Sequence, residues 1–268
     1  MEDLETILAI HAHPDDVEIL CAGTLALLSA AGHRITIVTM TPGDCGSHEH
    51  GPEETARIRR REAARAAAHI GAVYRCAEFR DLAIFSDDTS RRRVTEILRA
   101  TRPSIILTAP PVDYMCDHEA TSQLVRDACF GAPAPNYRTG GEPGAESGAQ
   151  PGAELGAAPL PAIPHLYFVS PLGGTEADFY VDIGGTFATK RAMLAEHESQ
   201  RTWLARHHGM DDYLGQMERW TRASGQRAGV EFAEGFRQYR GHPYPETPRL
   251  QELLAGYCTF TSTLPIGP

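Results

Sequence analysis

Short apolar runs alternate along the chain with longer stretches in which apolar residues recur at helical spacing. Short runs bounded by turn residues are typical of buried strands, and the longer stretches are typical of amphipathic helices. The first strands are predicted at residues 6–12, 34–41, 72–78 and 104–110. The helices between and after them are predicted at residues 17–33, 52–71, 89–102 and 119–130.

This alternation predicts an α/β fold: a Rossmann-like, doubly wound, mostly parallel sheet with helices on both faces. The first four strands are expected in the spatial order 3-2-1-4. Further along, the pattern predicts strands at 165–171 and 179–185, helices at 186–200 and 203–225, and a last strand and tail within 230–246. Gly43 and Gly46 in "TPGDCGS" are too few for a dinucleotide fingerprint, and no GxGxxG follows the first strand.

One segment, residues 131–164, breaks the alternation because it is rich in Gly, Ala and Pro. Such a composition buries too little apolar area to offset the entropy lost on ordering. We interpret it as a surface insertion, with a lid over the active site as the alternative. The whole chain, residues 1–268, is expected to be one domain that carries this insertion.

The composition excludes several classes of protein. The net charge of −10 and the pI of about 5.6 argue against nucleic acid as a partner. No run approaches the ~20 apolar residues that a membrane helix needs, and the acidic start "MEDLE" is unlike a signal peptide. A cytoplasmic location is therefore predicted. The six scattered cysteines are expected to be free thiols.

Two polar clusters follow the first and fourth predicted strands. The first is "HPDD" at residues 13–16, and the second is "DYMCDH" at residues 113–118. They are about a hundred residues apart in sequence, but the order 3-2-1-4 makes their strands neighbours. Both clusters would then lie at the switch point where doubly wound sheets bind ligands.

His13, Asp16 and His118 together suit a divalent metal with one position left open for water. A metal lowers the pKa of bound water to about 7, and Asp15 would serve as the general base on that water. Each histidine taken alone is more typical of a hydrogen-bonded or solvated loop residue than of a metal ligand. The meeting of both clusters at one sheet edge favours the metal site.

The sequence resembles the LmbE-like, or PIG-L, family of zinc-dependent N-acetylglucosaminyl deacetylases. The resemblance starts with "AHPDDVEILCAGT" and continues through "TPGDCGS", "RIRRREAARAAAHIG", "DHEAT" and "VDIGGTFATKRAMLAEHESQ". It covers nearly the whole chain except the insertion. It implies that His13, Asp16 and His118 bind Zn²⁺ and that Asp15 is the catalytic base.

The resemblance also implies that Arg59 and Asp81 contact the substrate. Without it, Arg59 would be interpreted as part of a solvated helix face and Asp81 as a turn residue. Glu62 is expected to support its helix, and "HESQ" at 197–200 is expected to pack around the site.

At one position the chain departs from the family pattern. Many members carry a second histidine three residues before the last ligand, where this chain has Met115. Tyr114 is a candidate substitute that would contact the substrate, and Asp15 would otherwise act as both base and acid. His48 and His50 are further candidates, although they are more typical of a solvated loop.

The sequence therefore predicts a metal-dependent hydrolase that removes an acetyl group from an N-acetylglucosamine-type small molecule. Zn²⁺ is the expected metal, and the same ligand types also suit Fe²⁺. One alternative is a non-haem iron oxygenase with the same triad, and another is a catalytically silent sugar-binding relative. A homo-oligomer is possible, and the natural substrate is left open.

Overall fold

The computed structural model describes residues 4–139, 157–172, 177–209 and 212–260. In these ranges the strands form one sheet of eight strands in the order β3-β2-β1-β4-β5-β7-β6-β8. The strands are β1 (Thr6–His11), β2 (Arg34–Thr39), β3 (Val73–Cys76), β4 (Ile105–Thr108), β5 (His165–Val169), β6 (Phe179–Asp182), β7 (Ala233–Gln238) and β8 (Cys258–Phe260).

The pairing of these strands confirms the predicted fold class and the predicted order 3-2-1-4. Strands β1 to β5 pair in parallel, as crossover connections through helices require. Strands β6, β7 and β8 extend the sheet with antiparallel pairings. The short strand β8 lies beyond the predicted elements, since its sequence "CTF" is too brief to show a pattern.

Helices cover both faces of the sheet, as predicted. They are α1 (Asp16–Leu20), α2 (Ala22–Ala30), α3 (Pro52–Ala68), α4 (Asp88–Thr101), α5 (Cys116–Gly131), α6 (Phe187–Ala195), α7 (Glu198–His208), α8 (Tyr213–Ala228) and α9 (Arg249–Leu253). Side chains alternate between the faces along β1: Ile7 and Ala9 join the core beneath α2 and α6, and Leu8 and Ile10 join the core beneath α4 and α5.

The single helix predicted at residues 17–33 is wrong, because the chain breaks at Cys21 into α1 and α2. No side chain of the helix caps the start of α2. Instead, the Glu234 carboxylate on β7 accepts the N–H groups of Gly23 and Thr24 at 3.0 and 2.7 Å. Those donors would otherwise be unpaired at a helix start. Glu234, which caps the start of α2, is thus more than two hundred positions away from that helix in sequence.

The only lysine of the chain also contacts Glu234, from helix α6. Lys190 on α6 is fully buried, and its ammonium donates to Glu234 Oε1 at 2.5 Å and to the Ile19 carbonyl at 2.7 Å. Ile19 belongs to α1, whose first residue is Asp16. The buried ion pair therefore ties α1, α2, α6 and β7 to one another directly behind the predicted site.

The predicted insertion is described only at its two ends. Residues 132–139 and 157–164 pack against α4 and α5, where Leu160 is buried and the Ala157 N–H donates to Glu96 Oε1 at 2.8 Å. The part between, residues 140–156, lies outside the described residues. A lid and a single domain over the full length both stay predictions.

Two smaller expectations are met. All six cysteines are free thiols. In the described parts of the chain, no helix is both long enough and apolar enough to cross a bilayer.

Replacing Lys190 with Met is expected to lower the free energy of unfolding by about 3 kcal/mol, because it leaves the Glu234 charge buried without its partner. Chemical denaturation followed by circular dichroism measures the change. The control is Arg57→Ala, which breaks an exposed ion pair with Glu54 on α3 and should cost much less, because solvent screens exposed charges. Equal losses in the two variants would contradict the role given to the buried pair.

Candidate active site

A cavity of about 390 Å³ opens at the carboxyl ends of β1 to β4. The loops that follow these four strands supply much of its polar lining, and helices supply Arg59, His118, Gln200 and Tyr213. The cavity therefore lies at the switch point between β1 and β4. All seven residues predicted from the sequence line this one cavity: His13, Asp15, Asp16, Arg59, Asp81, Tyr114 and His118. The topology thus gathers residues that are up to 105 positions apart, which is the spacing from His13 to His118.

Asp16 is the centre of the polar lining. His13 Nδ1 and His118 Nε2 each lie 3.4 Å from its Oδ2 atom, and the backbone N–H of His13 donates to the same oxygen at 2.7 Å. Although burial alone would raise the pKa of Asp16, the neighbouring His11 and His118 hold it well below its usual value. Asp16 is therefore ionised. The other two predicted ligands, His13 and His118, both approach its Oδ2 atom.

His11 is a fourth member of this cluster that the sequence prediction missed. Its Nδ1 lies 2.6 Å from Asp16 Oδ2, and potential ligand atoms of His11, Asp16 and His118 all lie within 4.8 Å of one another. As the last residue of β1 it is buried, and it does not line the cavity. A strand pattern alone predicts burial for this position and gives no sign of its polar contact.

Two carboxylates hold His13 from the side away from Asp16. His13 Nε2 lies 3.1 Å from Asp81 Oδ1 and 3.4 Å from Asp117 Oδ2. Asp117 is fully buried, and it also accepts the Leu82 N–H at 2.7 Å. A proton on Nε2 that donates to these carboxylates leaves the Nδ1 lone pair facing Asp16, as a metal ligand requires.

His118 is oriented in a similar way from the second cluster. Its Nδ1 lies 3.1 Å from Asp113 Oδ1, but neither Nδ1 nor the buried Nε2 makes a hydrogen bond among the described residues. A buried polar atom without a partner costs free energy. A divalent cation at this point would take up the Nε2 lone pair, so two imidazoles and one carboxylate fit such an ion.

Asp15 lies beside the cluster in a strained conformation. Its φ of 108° is in the left-handed region, which places its side chain in the cavity while Asp16 begins α1. Burial and the neighbouring Asp16 charge raise the pKa of Asp15 to about 6, against the opposing effects of His197, Tyr213 and Arg59. A carboxylate with a raised pKa is suited to accept a proton.

Tyr213 contacts this carboxylate and was not predicted. It is the first residue of α8, is buried, and its hydroxyl donates to Asp15 Oδ2. The surrounding sequence "DDYLGQM" reads as an ordinary helix start, so no local signal indicates the contact.

Arg59 is buried on α3 and does not lie on a solvated helix face. Its guanidinium donates to the Gly46 carbonyl at 2.7 Å. A Cβ at Gly43 or at Gly46 would come within 2.5 Å of guanidinium nitrogens. The glycines of "TPGDCGS" therefore make room for an arginine that lines the cavity, which gives them a role unrelated to nucleotide binding.

The departure at Met115 lies at the cavity as well. Met115 is the N-cap of α5 and lines the cavity beside Tyr114, whose ring centre is 5.3 Å from that of His118. Tyr114 is 74% exposed, so its hydroxyl is free to meet a ligand. His48 and His50 are exposed and line a neighbouring cavity, where His48 packs against Trp203.

The "HESQ" segment packs around the site as expected. His197 is buried with Nε2 3.4 Å from Glu18 Oε1. Ser199, in the first turn of α7, donates its N–H and its hydroxyl to Glu62 at 3.0 and 2.5 Å. Glu62, which lies on α3, thus supports α7 by accepting both hydrogen bonds from Ser199.

Comparison with known proteins gives relatives of two kinds, deacetylases and a hydratase. The diacetylchitobiose deacetylase of Thermococcus kodakarensis is 25% identical over 204 residues, which are 74% of this chain and 71% of that one. A 1D-myo-inositol 2-acetamido-2-deoxy-alpha-D-glucopyranoside deacetylase of Saccharopolyspora erythraea is 29% identical over 157 residues, 48% of this chain and 57% of its own length. The 4-oxalmesaconate hydratase of Pseudomonas putida is 27% identical over 144 residues, 51% of this chain and 56% of its own length.

Solved structures share the fold over almost the full length. The N,N'-diacetylchitobiose deacetylase of Pyrococcus horikoshii superposes with a TM-score of 0.75 at 24% identity, covering 92% of this chain and 89% of that one. The family model described as PIG-L, GlcNAc-PI de-N-acetylase, matches residues 8–129, the segment that holds all seven predicted site residues. Residues 8–129 of the chain therefore resemble the PIG-L family, and the rest of the chain lies outside that match.

Proposed function

We propose that the protein is a metal-dependent deacetylase that hydrolyses the acetamido group of an N-acetylglucosamine-type substrate. The observation that carries the proposal is the cluster of His13, His118 and Asp16 beside a second carboxylate, Asp15, in one cavity. The named activities of the Thermococcus and Saccharopolyspora relatives support the substrate class.

We assign the metal ligands to His13, Asp16 and His118, with His11 as a positioning residue for Asp16. The three ligands line the cavity and so would hold an ion within reach of a substrate, whereas His11 lies behind Asp16. Zn²⁺ is the proposed ion, and the donor set also suits Fe²⁺. Such an ion would polarise the amide carbonyl and lower the pKa of water.

The side chains of the protein supply the remaining steps. Asp15 accepts the proton of the attacking water, and the Tyr213 hydroxyl fixes the orientation of its carboxylate. The same carboxyl group then returns the proton to the departing amine, because Met115 carries no proton to donate. Arg59 and Asp81 face the cavity with a cation and a carboxylate that would bind polar groups of the sugar, and Tyr114 would contact it at the rim.

The substrate is a small amino sugar in this proposal, and neither nucleic acid nor a lipid bilayer is involved. A cytoplasmic location and a homo-oligomer stay predictions from the sequence.

Purified protein should release primary amine from at least one member of a panel of N-acetylglucosaminides. Because the ligand cluster is needed for the reaction, release should stop after chelation and return when Zn²⁺ is added. Amine quantification by a fluorogenic reagent measures it, and an equal panel of the deacetylated sugars is the blank.

Other outcomes would replace the proposal. Oxygen consumption that requires Fe²⁺ and a keto acid would indicate the oxygenase. Hydration without amine release would place the chain with the 4-oxalmesaconate hydratase. Sugar binding without turnover would indicate the silent relative.

Asp15→Asn should lower kcat by about 10²- to 10⁴-fold, the usual contribution of general acid–base catalysis. Asn is chosen because its short polar side chain tolerates the left-handed backbone conformation. The metal content should stay unchanged, since Asp15 is not a proposed ligand. Asp88→Asn, at an exposed position on α4, is the control and should keep full activity. A fully active Asp15→Asn would exclude the proposed base.

His13→Ala and His11→Ala should differ in metal binding. Loss of a ligand should abolish stoichiometric Zn²⁺ after dialysis, whereas loss of a residue that orients a ligand weakens binding by about 10- to 100-fold. Competition with a chromophoric chelator measures both affinities. The reverse ranking would make His11 the ligand and His13 the positioning residue.

A further inference from the structure

The active-site cavity has a second lining that the proposed chemistry does not use. Six apolar side chains belong to it: Ile19, Leu20, Leu172, Trp203, Leu204 and Trp220. Trp203 and Trp220 are the only two tryptophans of the chain. Both therefore lie at the same cavity, on α7 and α8 respectively.

These side chains come from separate elements and meet only in the folded protein. Ile19 and Leu20 end α1, Leu172 follows β5, and α7 and α8 supply the others. All six are partly exposed, although Ile19, Leu20 and Leu204 also pack against the core. A contiguous apolar surface that stays accessible inside a cavity is typical of a ligand-binding site.

The chemistry of this lining does not suit a bare sugar. An N-acetylglucosamine ring carries hydroxyl groups that need hydrogen-bond partners, and the two indole N–H groups are the only side-chain donors or acceptors among the six residues. The polar partners are instead in the other lining, where Arg59, Asp81 and Asp15 lie. One cavity thus combines a polar part and an apolar part.

We propose that the substrate carries an apolar substituent, a linear alkyl chain or an aromatic ring, that binds between these six residues. The inference rests on the proposed deacetylase function and specifies its substrate class. The substituent is attached either to the anomeric oxygen as an aglycone or to the nitrogen as a longer acyl group. Trp203 and Trp220 are its specificity-determining contacts.

Two series of substrates test the proposal and separate the two points of attachment. One series contains alkyl β-glycosides of N-acetylglucosamine from methyl to hexyl, and the other contains methyl glycosides with N-acyl chains from acetyl to hexanoyl. In one series kcat/KM should rise up to about fourfold with each buried methylene, the factor expected from transfer out of water. The zinc-loaded enzyme is used throughout.

Variants assign the effect to the apolar lining. Trp203→Ala and Trp220→Ala should each flatten the dependence of kcat/KM on chain length. Phe130→Ala, which removes an exposed aromatic ring on α5 away from the cavity, should leave the dependence unchanged. Sedimentation velocity shows whether either tryptophan variant changes the oligomeric state.

A binding measurement that needs no hydrolysis distinguishes the proposed apolar site from the proposed deacetylase function. Hexyl glucoside contains no amide, and it should change the tryptophan fluorescence at lower concentration than methyl glucoside does. If this preference is present while no amide is cleaved, the apolar site stands and the proposed function fails. If amide cleavage occurs with equal kcat/KM along both series, the function stands and the apolar site is excluded. A change of oligomeric state on removing either tryptophan would assign the surface to a second copy of the chain and overturn the inference.

Discussion

The parallel pairing of β1 with β4 is the constraint on which the site depends. Ile7 to Ile10 pair in register with Ile105 to Thr108, so the loops that follow the two strands emerge side by side. One loop carries His13, Asp15 and Asp16, and the other leads into His118. A shift of register would change the distance from His118 Nε2 to Asp16 Oδ2, whereas His11 and His13 reach that oxygen from its own side of the pairing. The approach of His118 to Asp16 in the candidate metal site is therefore a consequence of backbone hydrogen bonds between strands that are almost a hundred residues apart.

The pairing brings several titratable groups together in a buried place, and the surrounding structure must compensate for it. Buried charges are tolerated when they are paired and hydrogen-bonded. Carboxylates orient both ligand histidines, and the Lys190–Glu234 pair fixes the two short helices behind Asp16. His11 Nε2 and both ring nitrogens of His118 are left without a hydrogen-bond partner among the described residues, and a bound metal would take up His118 Nε2. The buried cluster is thus stabilised by its surroundings, including the ion pair that joins α1, α2, α6 and β7.

The cavity is shared between two parts of the chain. The family segment, residues 8–129, supplies all the polar groups assigned to catalysis, whereas α7 and α8 supply the tyrosine that contacts Asp15 and both tryptophans. In the proposed function, the groups that carry out the reaction are thus separated from the surface that would select the substrate. The replacement of the usual family histidine by Met115 falls at the border between the two, which fits a change in substrate with the metal cluster kept.

The sequence by itself determined the strand and helix alternation and the order of the first four strands, because local periodicity carries that information. The two polar clusters indicated five of the seven residues that line the cavity, and the family resemblance added Arg59 and Asp81. The sequence did not reveal the break at Cys21, the partner of Lys190, the contact of His11 with Asp16, or the contact of Tyr213 with Asp15. Each of these depends on residues that are distant in sequence or whose local pattern reads as ordinary core or helix. Only the tertiary structure decided them, because a hydrogen bond between separate elements exists only once the sheet has placed its two ends within about 3 Å.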